Sequence, residues 1–301
     1  MNIADPIRRR ARLNPETNAI VRADHSRVTY RAFDQMIDAM AHVLTGHGLA
    51  PGQIAGLAMA GPNEFPGIVT AMALARMGVA SASTELPARH LDLCIVEPGG
   101  TERPGTRNLS LETIWDDLSK LGPVVPMFDS HGDGAALCRI YGSSGTTGVP
   151  KFVALSHALQ ISRTVSHFLF TTTIPAIRIA GMGLGSVWGM GSLLRTFWTG
   201  GTLVLTNPAE ALTAIGRYKV TSLAMAPISL QGIVAARPDG AGPIPSLTAI
   251  EVAGSPMPPR LLALTRARLC PHVVSLYGAT EIEGVASAPF AALDGNSQAV
   301  G

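Results

Sequence analysis

From residue 54 onward, short apolar runs alternate with longer segments whose apolar residues recur at helical spacing. The first run covers residues 54–59, and a helical segment at 64–76 and a second run at 79–83 follow it. After residue 135 the same alternation continues as far as a run at 273–276. Repeated strand–helix units predict an α/β fold with parallel sheets flanked by helices, and ligands of such sheets bind at the carboxyl ends of the strands.

The composition predicts a folded chain with a large core. Hydrophobic residues make up 47% of the 301 residues and charged residues 15%, which argues against disorder and favours heavily buried sheets. The net charge of +2 gives no support for binding nucleic acid or a membrane surface, because such a footprint requires clustered lysine and arginine. The one basic run, at residues 8–10, is interpreted as the solvated face of a first helix rather than as a binding arm.

Cysteine usage and apolar length bear on location. Cys94, Cys138 and Cys270 have neither C-x-x-C nor metal-ligand spacing, so we expect buried, reduced thiols in a cytoplasmic protein without a signal peptide. The longest apolar stretch, at residues 179–194, is glycine-rich and short for a membrane span, which needs about 20 residues. No membrane span is therefore expected.

A glycine-rich stretch stands out at residues 139–151, which read R-I-Y-G-S-S-G-T-T-G-V-P-K. Glycines let backbone N–H groups approach an anion, hydroxyl side chains add donors, and Lys151 adds a positive charge, so the stretch predicts a phosphate-binding loop. Its spacing does not fit the P-loop pattern of nucleotide hydrolases, because Lys151 follows a proline and precedes Phe152. A flexible linker is the alternative, but the apolar strand that follows Lys151 argues against it.

Within this stretch, Y-G-S-S-G-T-T-G-V-P-K at residues 141–151, together with L-S-H at residues 155–157, resembles the signature loop of the adenylate-forming (AMP-binding) superfamily. That superfamily includes acyl-CoA synthetases, the adenylation domains of peptide synthetases, and luciferases. Residues 277–281 read Y-G-A-T-E and are similar to its Y-G-x-T-E motif. Residues 200–205 resemble its G-G-T strand, and residues 253–257 resemble its G-G-A-P-L loop. Four matches in the expected order make the chain look like the N-terminal domain of an acyl-CoA synthetase.

The resemblance implies a ligase that activates a small-molecule carboxylic acid. The acid attacks the α-phosphate of ATP, which yields an acyl-adenylate and pyrophosphate, and a thiol, most often that of coenzyme A, then takes the acyl group. Both reactants are anionic, so the site has to neutralise charge and align an in-line attack. ATP, Mg²⁺ and CoA are the implied cofactors.

The resemblance also assigns site residues. Lys151, Thr280 and Glu281 are expected to be catalytic, with Thr280 bonding the α-phosphate and Glu281 binding Mg²⁺. Tyr277 is expected near the adenine. The complete expected nucleotide site consists of Ser143, Ser144, Gly145, Thr146, Thr147, Gly148, Lys151, Ala253, Gly254, Ser255, Tyr277, Gly278, Ala279 and Thr280. Taken without the motif, Glu281 is also compatible with an exposed turn carboxylate and Tyr277 with a core aromatic.

The sequence departs from the superfamily pattern in two places. Gly185 stands near the position where acyl-CoA synthetases commonly carry a histidine, and the glycines around it could either make room for a bulky acyl group or permit tight helix packing. The small C-terminal domain and its lysine are also missing from the 301 residues. We therefore expect residues 1–301 to form a truncated N-terminal AMP-binding domain of two packed α/β sublayers that change near residues 165–175.

Two alternatives to an acyl-CoA synthetase stay open at this point. One is a non-catalytic module that binds ATP or an acyl-adenylate, since the closing domain is missing. The other is an adenylation domain of a peptide-synthetase-like system, in which a carrier protein supplies the thiol. The sequence leaves the identity of the acid, the thiol acceptor and the oligomeric state open.

Overall fold

The computed structural model describes residues 1–57, 64–122, 133–143, 151–166 and 175–289. The chain divides into two compact units. Unit 1 consists of Met1–Thr17, Val28–Ser162 and Leu184–Val187, and unit 2 consists of Asn18–Arg27, Arg163–Gly183 and Trp188–Gly301. The expectation that residues 1–301 form one truncated domain with two sublayers stays a prediction.

Helices and strands alternate along the described chain. The α-helices are α1 (Asp5–Leu13), α2 (Tyr30–Gly46), α3 (Glu64–Met77), α4 (Leu111–Lys120), α5 (His157–Ser166), α6 (Val187–Thr199), α7 (Ala211–Tyr218), α8 (Pro227–Ala236) and α9 (Pro259–Arg268). The strands are β1 (Asn18–Val21), β2 (Arg27–Thr29), β3 (Ile54–Leu57), β4 (Ala80–Ala82), β5 (Leu93–Val96), β6 (Asn108–Ser110), β7 (Leu137–Ser143), β8 (Lys151–Ser156), β9 (Ile177–Ala180), β10 (Thr202–Val204), β11 (Ser222–Met225), β12 (Ala249–Val252), β13 (Val273–Ala279) and β14 (Glu283–Pro289).

These strands form two sheets. The first has the order β6-β5-β3-β4-β7-β8, and the second has the order β14-β13-β12-β11-β9-β10-β1-β2. Neighbours β6 to β7 of the first sheet and β13 to β1 of the second pair in parallel, whereas β8 and β14 pair antiparallel with β7 and β13. The predicted fold class, parallel sheets flanked by helices, is confirmed. The antiparallel strand at one edge of each sheet was not predicted.

Local sequence signals explain where several helices begin. Thr29 caps α2, because its Oγ1 accepts a hydrogen bond from the Ala32 amide at 3.2 Å. Ser110 caps α4 in the same way through the Glu112 amide. Helices α8 and α9 start with proline, whose missing N–H has no helical acceptor at that position. Each of these helices therefore begins at a residue whose local chemistry favours a helix start.

The strands in the middle of both sheets are buried on both faces. Every residue of β5, β11 and β12 is buried, as expected for parallel strands covered by helices. The three cysteines are buried, which confirms their predicted core position, and burial raises the pKa of the Cys138 thiol to about 12. No helix in the described parts of the chain is both long and apolar enough to cross a membrane.

One prediction about unit 1 was wrong. Arg8 was expected on a solvated helix face, but its side chain is only 12% exposed and bonds the Asp38 carboxylate at 2.7 Å. Arg76, which is fully buried, bonds the same carboxylate at 2.8 Å and Asp34 at 2.5 Å. The two arginines and two aspartates tie α1, α2 and α3 together. These ion pairs were not predictable from periodicity or motifs, because they join residues 26 to 42 positions apart in different helices.

Candidate nucleotide-binding site

The two strands that flank the glycine-rich residues pair antiparallel at one edge of the first sheet, in unit 1. We call β7, residues 144–150 and β8 the glycine hairpin. Ser143 lies opposite Lys151 in the antiparallel register, and Gly142 lies opposite Phe152. The two ends of the loop are therefore brought together, with the Lys151 side chain exposed beside them. The remaining predicted phosphate-loop residues, Ser144, Gly145, Thr146, Thr147 and Gly148, lie outside the described residues.

A buried arginine supports the base of the glycine hairpin. Arg139 in β7 is 2% exposed, and it donates to the Ser81 hydroxyl at 2.9 Å and to the Leu184 carbonyl at 2.7 Å. Its guanidinium carbon lies 5.0 Å from the centre of the Tyr141 ring, a cation–π distance. The Tyr141 hydroxyl in turn donates to Gln160 at 3.0 Å. Sequence analysis missed Arg139, since its partners come from strands and loops far along the chain.

His157, which begins α5, has a structural environment. The side chain is fully buried, and its Nδ1 accepts a hydrogen bond from the Ile3 amide at 3.2 Å. Burial lowers the pKa of His157 to about 4, so the imidazole is neutral near pH 7. This agrees with a histidine whose role lies in packing at the start of a helix.

The Y-G-A-T-E residues form the second edge hairpin, in unit 2. We call β13, residues 280–282 and β14 the acid hairpin. Residues 277–279 lie beyond the apolar run predicted at 273–276, but they belong to β13 and pair with β14. A register shift between Tyr277 and Gly278 marks a β-bulge. The bulge and the three-residue turn place Thr280 and Glu281 at the hairpin tip.

The side chains of the acid hairpin differ in exposure. Tyr277 is 53% exposed, so it is not a core aromatic, and its ring is free to stack on a ligand. Thr280 is half-buried and Glu281 is exposed. Within the described part of the chain, the Glu281 carboxylate makes no hydrogen bond or ion pair. Gly278 and Ala279 are exposed beside Tyr277.

The loop at residues 253–255 lies at the same sheet edge as Tyr277. Strand β12 pairs with β13 so that Val252 lies opposite Ser275, which places the loop after β12 beside the last residues of β13. Gly254 has φ +91°, a conformation that favours glycine, and an added Cβ would lie 3.6 Å from Met182 Cε. Gly254 and Ser255 are exposed. Parallel pairing thus brings two separate motifs to one carboxyl edge.

The glycine-rich segment after β9 serves at least partly for close packing. An added Cβ on Gly189, in the first turn of α6, would overlap the carbonyl oxygens of Met182 and Gly183. An added Cβ on Gly181 would lie 2.8 Å from Met225 Cβ. These two glycines permit the backbone of the segment to approach its neighbours. At Gly185, by contrast, no atom of the described residues lies within 4 Å of an added Cβ.

A buried ionic cluster lies behind the residue 253–255 loop in unit 2. Glu251 of β12 contacts Arg178 of β9 at 3.2 Å and Arg195 of α6 at 3.0 Å, and all three side chains are at most 5% exposed. Arg195 also donates to the Ser192 hydroxyl at 2.9 Å. Two guanidinium groups therefore share the Glu251 carboxylate only two residues before the loop. No predicted motif contained these residues.

The acid hairpin fits a magnesium ion that a nucleotide brings with it. Mg²⁺ takes oxygen ligands and is commonly held by one or two carboxylates together with substrate phosphates. The exposed Glu281 carboxylate is a group of the type that Mg²⁺ prefers. The described residues contain no group of three or more histidine, cysteine, aspartate or glutamate side chains that could hold a metal ion by themselves. The donor set therefore suits an ion shared with phosphates.

Comparison with known protein families gives one match over most of the chain. The sequence model of a family described as AMP-binding enzyme matches residues 7–97 and 113–301.

Two curated relatives are similar at low identity. Phosphinothricin tripeptide synthetase PhsC of Streptomyces viridochromogenes is 26% identical over 271 residues, which cover 81% of this chain and 24% of PhsC. The 4-chlorobenzoate–CoA ligase of an Arthrobacter species is 24% identical over 285 residues, which cover 85% of this chain and 53% of the ligase. The chain thus spans about half the length of that ligase and about a quarter of PhsC.

A solved structure shares the fold. O-succinylbenzoate coenzyme A synthetase (MenE) from Bacillus subtilis, in complex with ATP and magnesium ion, superposes with a TM-score of 0.81 at 20% identity. The match covers 94% of this chain and 62% of the MenE chain.

Proposed function

Because the chain belongs to the AMP-binding enzyme family, we propose that it uses ATP to convert a carboxylic acid into an acyl-adenylate and then passes the acyl group to coenzyme A. The observation that carries the proposal is the acid hairpin. It holds Thr280 and Glu281 at its tip, with the Glu281 carboxylate exposed, beside the exposed Tyr277 and the residue 253–255 loop. A hydroxyl, a carboxylate and an aromatic ring are the groups that a phosphate, its metal ion and an adenine require.

The first half-reaction forms the mixed anhydride. A carboxylate oxygen of the acid attacks the α-phosphorus of ATP, the bond from that phosphorus to the bridging oxygen breaks, and pyrophosphate leaves with the electron pair. Lys151 and residues 143–148 hold the β- and γ-phosphates and stabilise the charge that develops on the departing pyrophosphate. Thr280 donates to the α-phosphate and fixes its orientation. Glu281 would hold Mg²⁺, and the bound ion would neutralise phosphate charge.

The nucleoside part of ATP is held at the carboxyl edge of the second sheet. Tyr277 stacks on the adenine, and Gly278 and Ala279 continue this wall along β13. Ala253, Gly254 and Ser255 form the facing wall. The left-handed conformation of Gly254 supports this assignment, because a residue without a side chain lets a flat ring approach the backbone.

The second half-reaction transfers the acyl group. The sulfur of the thiol loses its proton and attacks the acyl carbonyl carbon, and AMP leaves with the electron pair of the broken C–O bond. Similarity to 4-chlorobenzoate–CoA ligase supports coenzyme A as the acceptor. Similarity to PhsC at 26% identity supports a second candidate, in which a carrier-protein thiol takes the acyl group.

The cellular setting and the organisation of the chain are part of the same proposal. A cytoplasmic location is supported by the three buried thiols, which a reducing compartment keeps reduced. We assign residues 1–301 to the N-terminal AMP-binding domain, with one α/β sublayer contributed by each unit.

The test is ATP–pyrophosphate exchange on the full chain, with aliphatic, aromatic and amino acids supplied as separate pools. Exchange with one pool, lost in Lys151→Ala and Glu281→Ala and retained in Lys120→Ala, is the expected result. Lys120 is an exposed helix residue whose one ion pair among the described residues is with Asp117, so its variant controls for loss of a lysine. Absence of exchange from all pools, with Mg-ATP binding intact, would instead identify a non-catalytic binding module.

The acceptor is tested in the same assay. Adding coenzyme A or a phosphopantetheinylated carrier protein to the acid that supports exchange separates the two candidates. Thioester formed with coenzyme A alone supports the ligase, and thioester formed only on the carrier protein supports the peptide-synthetase type.

A further inference from the structure

Arg163, which belongs to none of the sequence motifs, donates hydrogen bonds to the turn of the acid hairpin. Its Nη1 donates to the Thr280 carbonyl at 3.3 Å, and its Nη2 donates to the Glu281 carbonyl at 2.5 Å. The Ser166 hydroxyl donates to the Arg163 carbonyl at 2.9 Å. One planar guanidinium therefore contacts two successive carbonyl groups of the turn.

The turn is short enough for this contact to set its geometry. It consists of residues 280–282 between β13 and β14, and it is closed by a hydrogen bond from the Ile282 amide to the Ala279 carbonyl at 3.1 Å. The donors of a guanidinium stand in a rigid fork, unlike those of a lysine ammonium. Arg163 thus restrains the two peptide groups that carry the side chains of Thr280 and Glu281.

The contact with Arg163 does not involve the Glu281 carboxylate. Arg163 binds backbone carbonyls, and no ion pair joins it to the Glu281 carboxylate within the described residues. That carboxylate stays exposed and able to accept a cation. The two hydrogen bonds restrain the backbone of the turn, and the Glu281 side chain stays exposed.

We propose that Arg163 is a positioning residue that holds Thr280 and Glu281 in the geometry required for Mg-ATP. The inference rests on the proposed function, because it assigns the turn a role in the adenylation step. It predicts that loss of Arg163 weakens the use of Mg²⁺ and lowers turnover without removing any ligand of the metal. Groups that orient metal ligands typically change affinity or activity by about 10- to 100-fold when they are removed.

Unit 2 contains a matched control for this arginine. Arg237 also donates to two backbone carbonyls, through Nε to Arg268 at 3.1 Å and through Nη2 to Gly242 at 2.8 Å. It follows α8, which starts directly after β11 at the carboxyl edge, so Arg237 lies at the opposite edge of the sheet. Arg237→Ala removes equivalent hydrogen bonds away from the candidate site.

The experiment compares wild type, Arg163→Ala, Arg163→Lys and Arg237→Ala in two measurements. The first is the Mg²⁺ dependence of ATP–pyrophosphate exchange with the acid that supports it. The second is deuterium uptake of peptides that cover residues 273–289. We expect Arg163→Ala to need roughly tenfold more Mg²⁺ for half-maximal exchange and to exchange the acid hairpin faster. Arg163→Lys is expected to lie between Arg163→Ala and wild type, because lysine keeps the charge but lacks the fork.

Chemical rescue adds a readout that a general loss of stability does not move. Guanidinium ion, at concentrations well below those that unfold the variant, is expected to restore part of the exchange activity of Arg163→Ala and to leave Arg237→Ala unchanged. Unchanged deuterium uptake of the acid hairpin in Arg163→Ala, or the same shift in Mg²⁺ dependence in Arg237→Ala, overturns the inference. If Arg163→Ala takes up deuterium faster but the wild type shows no exchange activity, the proposed function is overturned instead. Arg163 then restrains the turn, but the turn has no role in adenylation.

Discussion

The glycine hairpin and the acid hairpin have the same architecture but carry side chains of opposite charge. Each is an antiparallel pair at one edge of an otherwise parallel sheet, and each carries motif residues at its tip. In the glycine hairpin the exposed cation of Lys151 begins β8, whereas in the acid hairpin the three residues 280–282 between β13 and β14 carry the exposed carboxylate of Glu281. The proposed function assigns the phosphates to the first hairpin and the metal ion to the second.

The groups behind the two hairpins also differ. Arg139 supports the glycine hairpin through neutral partners, a hydroxyl, a carbonyl and an aromatic ring. Behind the strands next to the acid hairpin, Glu251 is shared by Arg178 and Arg195. A carboxylate that serves two buried cations is harder to remove than a cation that serves neutral groups, because its loss leaves two buried charges without it. The comparison teaches that each motif depends on buried polar residues that no motif contains.

The largest expected effect is that of Glu251→Ala on the stability of unit 2. We expect a loss of about 3–5 kcal/mol in the free energy of unfolding, the range for breaking a buried ion pair on one side. Urea unfolding followed by circular dichroism measures it. Glu210→Ala, which removes an exposed carboxylate from the same unit, is the control. A loss below about 1 kcal/mol would make Glu251 comparable to a surface charge. It would also contradict the expectation that Glu251 contributes more to stability than Arg139.

Lys151→Ala tests the cation of the glycine hairpin. We expect exchange activity to fall about 10²- to 10³-fold, as for removal of one group that stabilises developing charge, with the melting temperature unchanged because the side chain is exposed. Steady-state exchange kinetics measure the fall, and Lys219→Ala is a second lysine control. A change in KM for ATP alone, with kcat intact, would assign Lys151 to ground-state binding only.

Acid is expected to lower the free energy of unfolding of unit 1, because His157 becomes protonated. The folded-state pKa of His157, about 4, lies below its ordinary value of 6.5. Its stabilising effect is therefore complete above pH 6.5 and is lost as the pH falls towards 4, by up to about 3 kcal/mol. Burial raises the pKa of Glu64 to about 7, which gives the opposite slope.

The measurement of the His157 effect is a difference between two proteins. Urea unfolding of wild type and His157→Asn at several pH values isolates the histidine, because Glu64 is present in both. We expect the gap in stability between the two proteins to narrow as the pH falls from 6.5 to 4. A gap that is constant with pH contradicts a buried neutral imidazole.

Glu281→Gln tests the carboxylate of the acid hairpin. The amide keeps the size of the side chain but loses its charge, so we expect about 10- to 100-fold more Mg²⁺ for half-maximal exchange. Titration of Mg²⁺ at fixed ATP measures the shift, and Glu210→Gln is the matched exposed control. An unchanged Mg²⁺ titration would contradict a role for the Glu281 charge in binding the metal ion.

A smaller loss of stability than that of Glu251→Ala is expected from Arg139→Met. The variant keeps an apolar side chain of similar length and leaves the Ser81 hydroxyl and the Leu184 carbonyl without their donor, for a loss of about 1–3 kcal/mol. Urea unfolding compares it directly with Glu251→Ala. Equal losses in both variants would show that the charge of the partners does not matter.

The sequence alone determined the chemistry of the motifs and most of the local structure. Helix α3, Glu64–Met77, covers the helical segment predicted at residues 64–76, and β3 begins at residue 54 as predicted, because periodicity acts between residues close together in the chain. Membership of the adenylate-forming family, predicted from four motifs, is confirmed by the family match. The roles of Lys151, Thr280, Glu281 and the other site residues stay predictions.

Only the tertiary structure decided which strands become neighbours and which buried charges meet. Strand β14 and the pairing of residues 277–279 were not predicted. Short segments of this kind form strands only when a partner strand satisfies their backbone N–H and C=O groups. Arg163 meets Glu281 across 118 positions, and Arg178 meets Glu251 across 73. Periodicity and capping do not encode contacts at such separations, because they arise only when the sheet order brings distant segments together.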